Sequence, residues 1–240
     1  MMQDTSGEIE VFAWPTSVRV TIAREPTPPE AGTETPIGRE WAAQRERNPR
    51  LFNGAVLSVV SLDPPLGHIA CRRETYQRLV VQPRVPTGVR MLAVTGVLLA
   101  TDGLGVEHVL VGRRAPAVRI YGGQWEFGPS GGVSAPPVSV LQLSESDLAA
   151  HLADEVEEEI GLRVSGGTPV AVVRDRTACS DDVCLLLRLG SLETARASPA
   201  NWEYTEVAWV PVRRVGDWIA RAPGGVIGAT RALAAHLGWA

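Results

Sequence analysis

Between residues 144 and 162 the chain reads SESDLAAHLADEVEEEIGL, and this segment constrains the fold more than any other. Leu148, Leu152, Val156 and Ile160 recur every four residues, a spacing that gathers apolar side chains into one stripe of a helix. Ser144 with Asp147 three residues on fits a capping box, and Gly161 suits the position after a last helical turn. The spacing therefore predicts a helix over about 145–160 whose stripe faces a core.

The adjacent face is acidic. Glu155, Glu158 and Glu159 stand at i, i+3 and i+4, so their carboxylates project from one patch. Like charges so placed cost a helix roughly 0.2–0.5 kcal/mol per pair. No Lys or Arg occurs between Leu141 and Leu162 to offset them. A hard divalent cation with oxygen ligands would turn that repulsion into binding; the alternative is a solvated acidic face.

Strand patterns flank this helix. Residues 8–23 alternate in the strand manner around a turn at Pro15, 55–62 are apolar and β-branched, and 66–72 read as their hairpin partner. Residues 89–101 and 107–114 predict two strands joined by a hairpin loop at 102–105, and 168–175, 183–190 and 206–212 predict three more. Helices are expected at 38–48, 73–79, 213–222 and 228–237. The Pro/Glu/Thr-rich stretch 25–36 reads as a linker. Strands before and after a central helix, closed by further helices, give an α/β or α+β sandwich.

Composition removes several function classes. All 23 basic residues are arginine, which excludes Schiff-base chemistry on a lysine and the Walker-A lysine while leaving guanidinium groups for bidentate phosphate recognition. A net charge of −4 argues against nucleic acid or an anionic membrane surface as partner. Cys71, Cys179 and Cys184 are too few for a disulfide framework and lack a paired zinc spacing. With no apolar signal segment at the N-terminus and no run long enough for a bilayer, a cytoplasmic location is the expectation.

Upstream of the acidic helix, Gly122-Gly123, Trp125-Glu126-Phe127 and Gly128-Pro129-Ser130-Gly131-Gly132 form a glycine-rich turn that would let backbone approach a metal or phosphate closely. Together, these segments resemble the Nudix hydrolase signature G-x5-E-x7-R-E-U-x-E-E-x-G-U, where U is aliphatic. Glu155-Val156-Glu157-Glu158-Glu159-Ile160-Gly161-Leu162 matches its second half and Pro129-Ser130-Gly131-Gly132 its start. Two departures stand out. Gly132 and position 154 are 22 apart instead of 14, and position 154 is Asp where the signature has Arg. In the family that arginine helps hold a glutamate of the motif; Arg113, Arg114 or Arg174 would have to substitute. Residues 41–62, 73–80 and 92–103 further resemble a divergent Nudix branch with an N-terminal extension, whose members hydrolyse UDP-glucose and UDP-galactose.

The resemblance implies an α/β/α Nudix sandwich with a mixed sheet over 88–240 and an N-terminal β-containing extension over 1–87. It implies Mg²⁺-dependent hydrolysis, with Mn²⁺ an alternative ion, of UDP-sugar to UMP and sugar 1-phosphate; ADP-ribose or a dinucleotide, or binding without hydrolysis, are the rival readings. It places metal ligands at Glu155, Glu158 and Glu159, with Gly131 beside the ion, and a late catalytic carboxylate at Glu203, with which Glu206 and Asp181-Asp182 compete. Arg113, Arg114, Arg174 and Glu126 are the expected substrate-holding groups. Tyr121, Trp125 and Phe52 are open between base stacking and core packing. The expected partner is a small nucleotide, and self-association as a homodimer stays open.

Overall fold

The computed structural model describes residues 8–15, 17–24, 35–82 and 84–240. Most of the expected linker at 25–36 lies outside the described residues. In chain order the elements are β1 (Ile9–Ala13), β2 (Arg19–Ile22), α1 (Pro36–Arg47), β3 (Ala55–Asp63), β4 (His68–Thr75) and α2 (Tyr76–Val80). There follow β5 (Met91–Thr101), β6 (Glu107–Arg114), β7 (Trp125–Phe127), β8 (Ser130–Gly132), β9 (Gln142–Ser144) and α3 (Glu145–Ile160). The chain closes with β10 (Thr168–Asp175), β11 (Ser180–Ser191), β12 (Tyr204–Pro211), α4 (Val215–Arg221) and α5 (Gly228–His236).

The strands join one mixed sheet in the order β1-β10-β11-β5-β3-β4-β2-β9, with β8 and β6 both on β5, and β7 and β12 on β6. β11 runs parallel to β5, and β2 parallel to β4; the other pairs are antiparallel. β5 is buried on both faces, which is why it reads as a continuous apolar run instead of an alternating one. Leu92, Val94 and Leu98 face α3, while Val97 and Leu99 face α5. Gly96 points to the α3 side because a Cβ there would come within 3.3 Å of Leu152 Cδ1. Helices on both faces make an α/β/α sandwich with a mixed sheet.

On one face the predicted stripe is wholly buried: Leu148, Leu152, Val156 and Ile160 pack on the sheet together with Val20, Leu57 and Ile69 from the N-terminal strands. Leu152→Ala in this layer should cost about 2–5 kcal/mol. On the other face Leu233 and Ala234 of α5 and Val215 of α4 cover Val173, Cys184 and Val111. β1 adds to the edge of the sheet by pairing with β10, Ile9 opposite Asp175.

One expected helix is corrected. Residues 73–75 stay extended in β4, with Leu57 paired to Arg73, and α2 begins only at Tyr76. The cause is a set of buried polar bonds that only an extended backbone supplies. Arg73 donates to the carbonyls of Ala23, Pro136, Pro137 and Val140 at 2.6–3.3 Å, and buried Glu74 pairs with Arg72 and Arg78. Arg73 therefore ties the long segment between β8 and α3 to β4. The same segment ends in β9, which pairs with β2 through Val20 opposite Leu143.

Candidate active site

α3 is fixed at both ends before it meets the site. Ser144 Oγ accepts the Asp147 amide, the Asp147 carboxylate accepts the Ser144 amide at 2.7 Å, and Gly161 closes the helix at φ +71°. With the stripe buried, Glu155 and Glu159, one turn apart, are turned toward β8. The Glu155 carboxyl lies against the backbone of Gly131: a Cβ on that glycine would sit 2.1 Å from Glu155 Cδ and Oε1. A residue with any side chain could not let the carboxylate so close.

Glu155 and Glu159 line one cavity of about 500 Å³, with Glu203 from the loop before β12, Glu126 of β7 and Gly131. Glu159 is only 3% exposed, and its Oε2 has no hydrogen-bond partner among the described residues. Burial first, then the charges of Glu203, Glu126 and Glu155, push its carboxyl well above the usual range, against the pull of Arg114. Glu155 is pushed up to about 7, by burial first, then by Glu203, Glu158 and Asp154. Glu158 is exposed at the rim; its charge reaches Glu155, but its side chain does not line the cavity.

The four arginine and glutamate residues expected to hold substrate separate. Arg114 enters the cavity wall, paired with Glu126, and Tyr204 donates its hydroxyl to the same Glu126 oxygen at 2.8 Å. Tyr204 reaches that point across Gly112 and Gly128, where added Cβ atoms would come within 2.5 Å of its ring and hydroxyl. Arg114 is also the arginine whose charge acts on Glu159, whereas Asp154 is exposed. Arg113 and Arg174 are brought elsewhere. Arg113 donates to the Gly123 carbonyl at 3.1 Å. Arg174 makes two bonds to buried Asp181, at 2.7 and 3.1 Å, and stacks on Phe12. Trp125 packs edge-on against Trp218 in the α5 layer, so it is a core residue.

The cavity also takes residues from outside the motif, of which Arg50 and Arg119 carry no sequence signal. From the N-terminal region come Arg50 and Phe52, and Arg50 lies over the Trp202 ring at 5.0 Å. Arg119 and Tyr121 come from the loop after β6. Asp181 and Asp182, neighbours in sequence, part company: Asp181 is buried between Arg90 and Arg174, while Asp182 lines the cavity and takes the Thr95 hydroxyl at 3.2 Å. Burial pushes Asp182 up to about 7. Strand alternation separates such neighbours, because successive side chains point to opposite faces.

Among the described residues no three Asp, Glu, His or Cys side chains converge closely enough to form a cation site as they stand. The donor chemistry nonetheless fits a hard divalent ion: the ligands available are carboxylate oxygens, one of them buried and unpartnered. No helix among the described residues is long and apolar enough to cross a membrane.

No family model matches the chain, and no curated protein matches it. Solved structures do. A Nudix hydrolase from M. smegmatis, RenU, is 20% identical over 62% of this chain and 84% of its own, with a TM-score of 0.43. A NUDIX hydrolase from Alicyclobacillus acidocaldarius is 21% identical over 60% of this chain and 89% of its own, at 0.43. A MutT protein from Methanosarcina mazei Go1 is 18% identical over 62% of this chain and 92% of its own, also at 0.43.

Proposed function

We propose that the chain is a Nudix-type pyrophosphohydrolase that cleaves the diphosphate of a nucleoside diphosphate-linked metabolite, UDP-sugar to UMP and sugar 1-phosphate by preference. The observation that carries this reading is the placement of Glu155 against Gly131, one helical turn from buried Glu159, with Glu203 beside both. The segments that resemble the signature in sequence thus meet at one cavity.

In this reading Glu155 and Glu159 hold Mg²⁺ or Mn²⁺, Glu158 adds charge from the rim, and the backbone at Gly131 closes the site. When bound, such an ion neutralises the diphosphate and lowers the pKa of a coordinated water. Arg114 holds Glu126 in place through their ion pair, and its charge supports Glu159 in the role that Asp154 cannot fill. Glu203 stands close enough to raise both helix carboxylates and is the carboxylate assigned to the attacking water. Support for a UDP-sugar comes from the resemblance carried by 41–62, 73–80 and 92–103 and from Arg50, Phe52 and Tyr76, which bring the N-terminal region to the same cavity.

A panel of nucleotides at equal concentration, with Mg²⁺ and then with a chelator, tests this. UMP release from UDP-glucose should exceed AMP release from ADP-ribose, and Glu155→Gln should abolish it. The second reading, nucleotide binding without hydrolysis, is favoured by Asp154, which stands where the signature has arginine. It prevails if no nucleotide gives cation-dependent turnover.

A further inference from the structure

The cavity is heavily acidic. Glu126, Glu155, Glu159, Asp175, Asp182 and Glu203 line it, against Arg50, Arg114 and Arg119. A diphosphate brings further negative charge into that space. A cation beside α3 meets part of it; the remainder calls for a guanidinium, which binds phosphate oxygens in a planar two-point fashion. Arg114 is committed to Glu126, and Arg50 rests over Trp202. Arg119 has no carboxylate partner among the described residues, and its Nη2 donates to the Ala178 carbonyl at 3.3 Å.

A second observation concerns the loop that carries Arg119. Tyr121 has φ +58°, a region that non-glycine residues seldom occupy and that persists only where the surroundings impose it. Here they do. The Tyr121 hydroxyl lies 3.0 and 2.8 Å from the two oxygens of Asp175, which is 3% exposed and also accepts the Ala178 amide at 2.9 Å. Arg114 Nε donates to the Ile120 carbonyl at 3.3 Å, and the Gly123 amide donates to the Arg114 carbonyl at 2.9 Å. Residues 119–121 are therefore held at the cavity wall by bonds from β6, β10 and the turn after it. The Gly123–Arg114 backbone bond closes the loop, and the side-chain bonds to Asp175, Ala178 and Ile120 then fix where Arg119 stands. A binding group fixed in advance loses little freedom when ligand arrives.

Resting on the hydrolase reading for its substrate, we propose that Arg119 is a substrate-binding residue that clasps a phosphate oxygen of the nucleoside diphosphate, with Tyr121 and Asp175 as positioning residues. The test uses the full chain with Mg²⁺ and UDP-glucose. Arg119→Gln should raise KM about tenfold with kcat held within about threefold, the pattern of lost ground-state binding, and Arg119→Lys should recover part of it. Tyr121→Phe should raise KM less, again without lowering kcat. An unchanged KM in active Arg119→Gln, or a fall in kcat alone, overturns the assignment. A Tyr121→Phe variant that shifts only Tm removes the positioning role. If the wild type turns over no nucleotide, the hydrolase reading fails by itself and the assignment is judged on UDP titrated calorimetrically with Mg²⁺. About tenfold weaker binding to Arg119→Gln sustains it, whereas equal affinity, or no binding of UDP by the wild type, overturns it.

Discussion

The carboxyl of Glu155 fills the place where a side chain on Gly131 would begin, 2.1 Å from an ideal Cβ. β8 and α3 are thereby locked to each other through an absence. Gly131→Ala should displace the glutamate, so turnover on the best nucleotide should fall by about 100-fold or more. Overpacking of this kind costs about 1–3 kcal/mol, readable in a urea titration. Turnover equal to wild type would show that Glu155 does its work from another position.

Glu159 sets stability against activity. Its carboxyl is buried near three other acids, with one oxygen unpartnered. Glu159→Gln keeps the shape and removes the cost of burying or protonating a carboxylate there, so in chelator at neutral pH its Tm should rise by about 2–8 °C. Nucleotide turnover should be lost in the same variant. A Tm that falls in chelator would mean that Arg114 already compensates the charge in full.

The pH dependence follows from the same groups. Glu155 and Asp182 are each pushed up to about 7, from ordinary values of 4.5 and 3.8. Between the ordinary and raised values the folded chain holds more protons than the unfolded chain, so stability falls as pH rises. In chelator, Tm should therefore decline from about pH 5 to about pH 7, and Mg²⁺ should flatten that decline by favouring the ionised carboxylates. A Tm that climbs over this interval, measured by scanning calorimetry, would contradict the burial assigned to both groups.

Arg73 offers a structural prediction. Buried at 6% exposure, it satisfies four carbonyls, three of them in the segment before α3. Arg73→Met should cost on the order of 3 kcal/mol, because several buried carbonyls lose their donor at once. Hydrogen exchange should quicken at residues 138–142 before it quickens within α3. Uniform quickening across the chain would mean that the arginine supports the core as a whole.

Much of this architecture is legible in the residues. The cap, the four-residue stripe and Gly161 delimit α3 at 145–160, because local chemistry alone decides those ends. The long apolar runs give β3, β5, β6 and β10 for the same reason. β7, β8 and β9 were not legible: each has three residues, too few to show a period, and each exists only through a distant partner strand. The helix expected at 73–79 gave way to β4 because Arg73 finds its acceptors more than 45 positions away. Within the site, the carboxylates of α3 can be read from spacing, whereas nothing local separates Arg114 from Arg113 or Arg174. Arg119 could not be found so, since an isolated arginine leaves no pattern in sequence, and Tyr121, a candidate for base stacking, shows its bond to Asp175 only once the fold brings β10 beside it.

The stitching of β9 to β2, reinforced by Arg73, has an evolutionary corollary. Among the described residues, the connection between β8 and α3 takes partners from β2, β3 and β4, the strands that come early in the chain. Lineages should therefore gain or lose the two together, and a descendant that kept only the lengthened connection would carry a loose leash on the very helix it feeds.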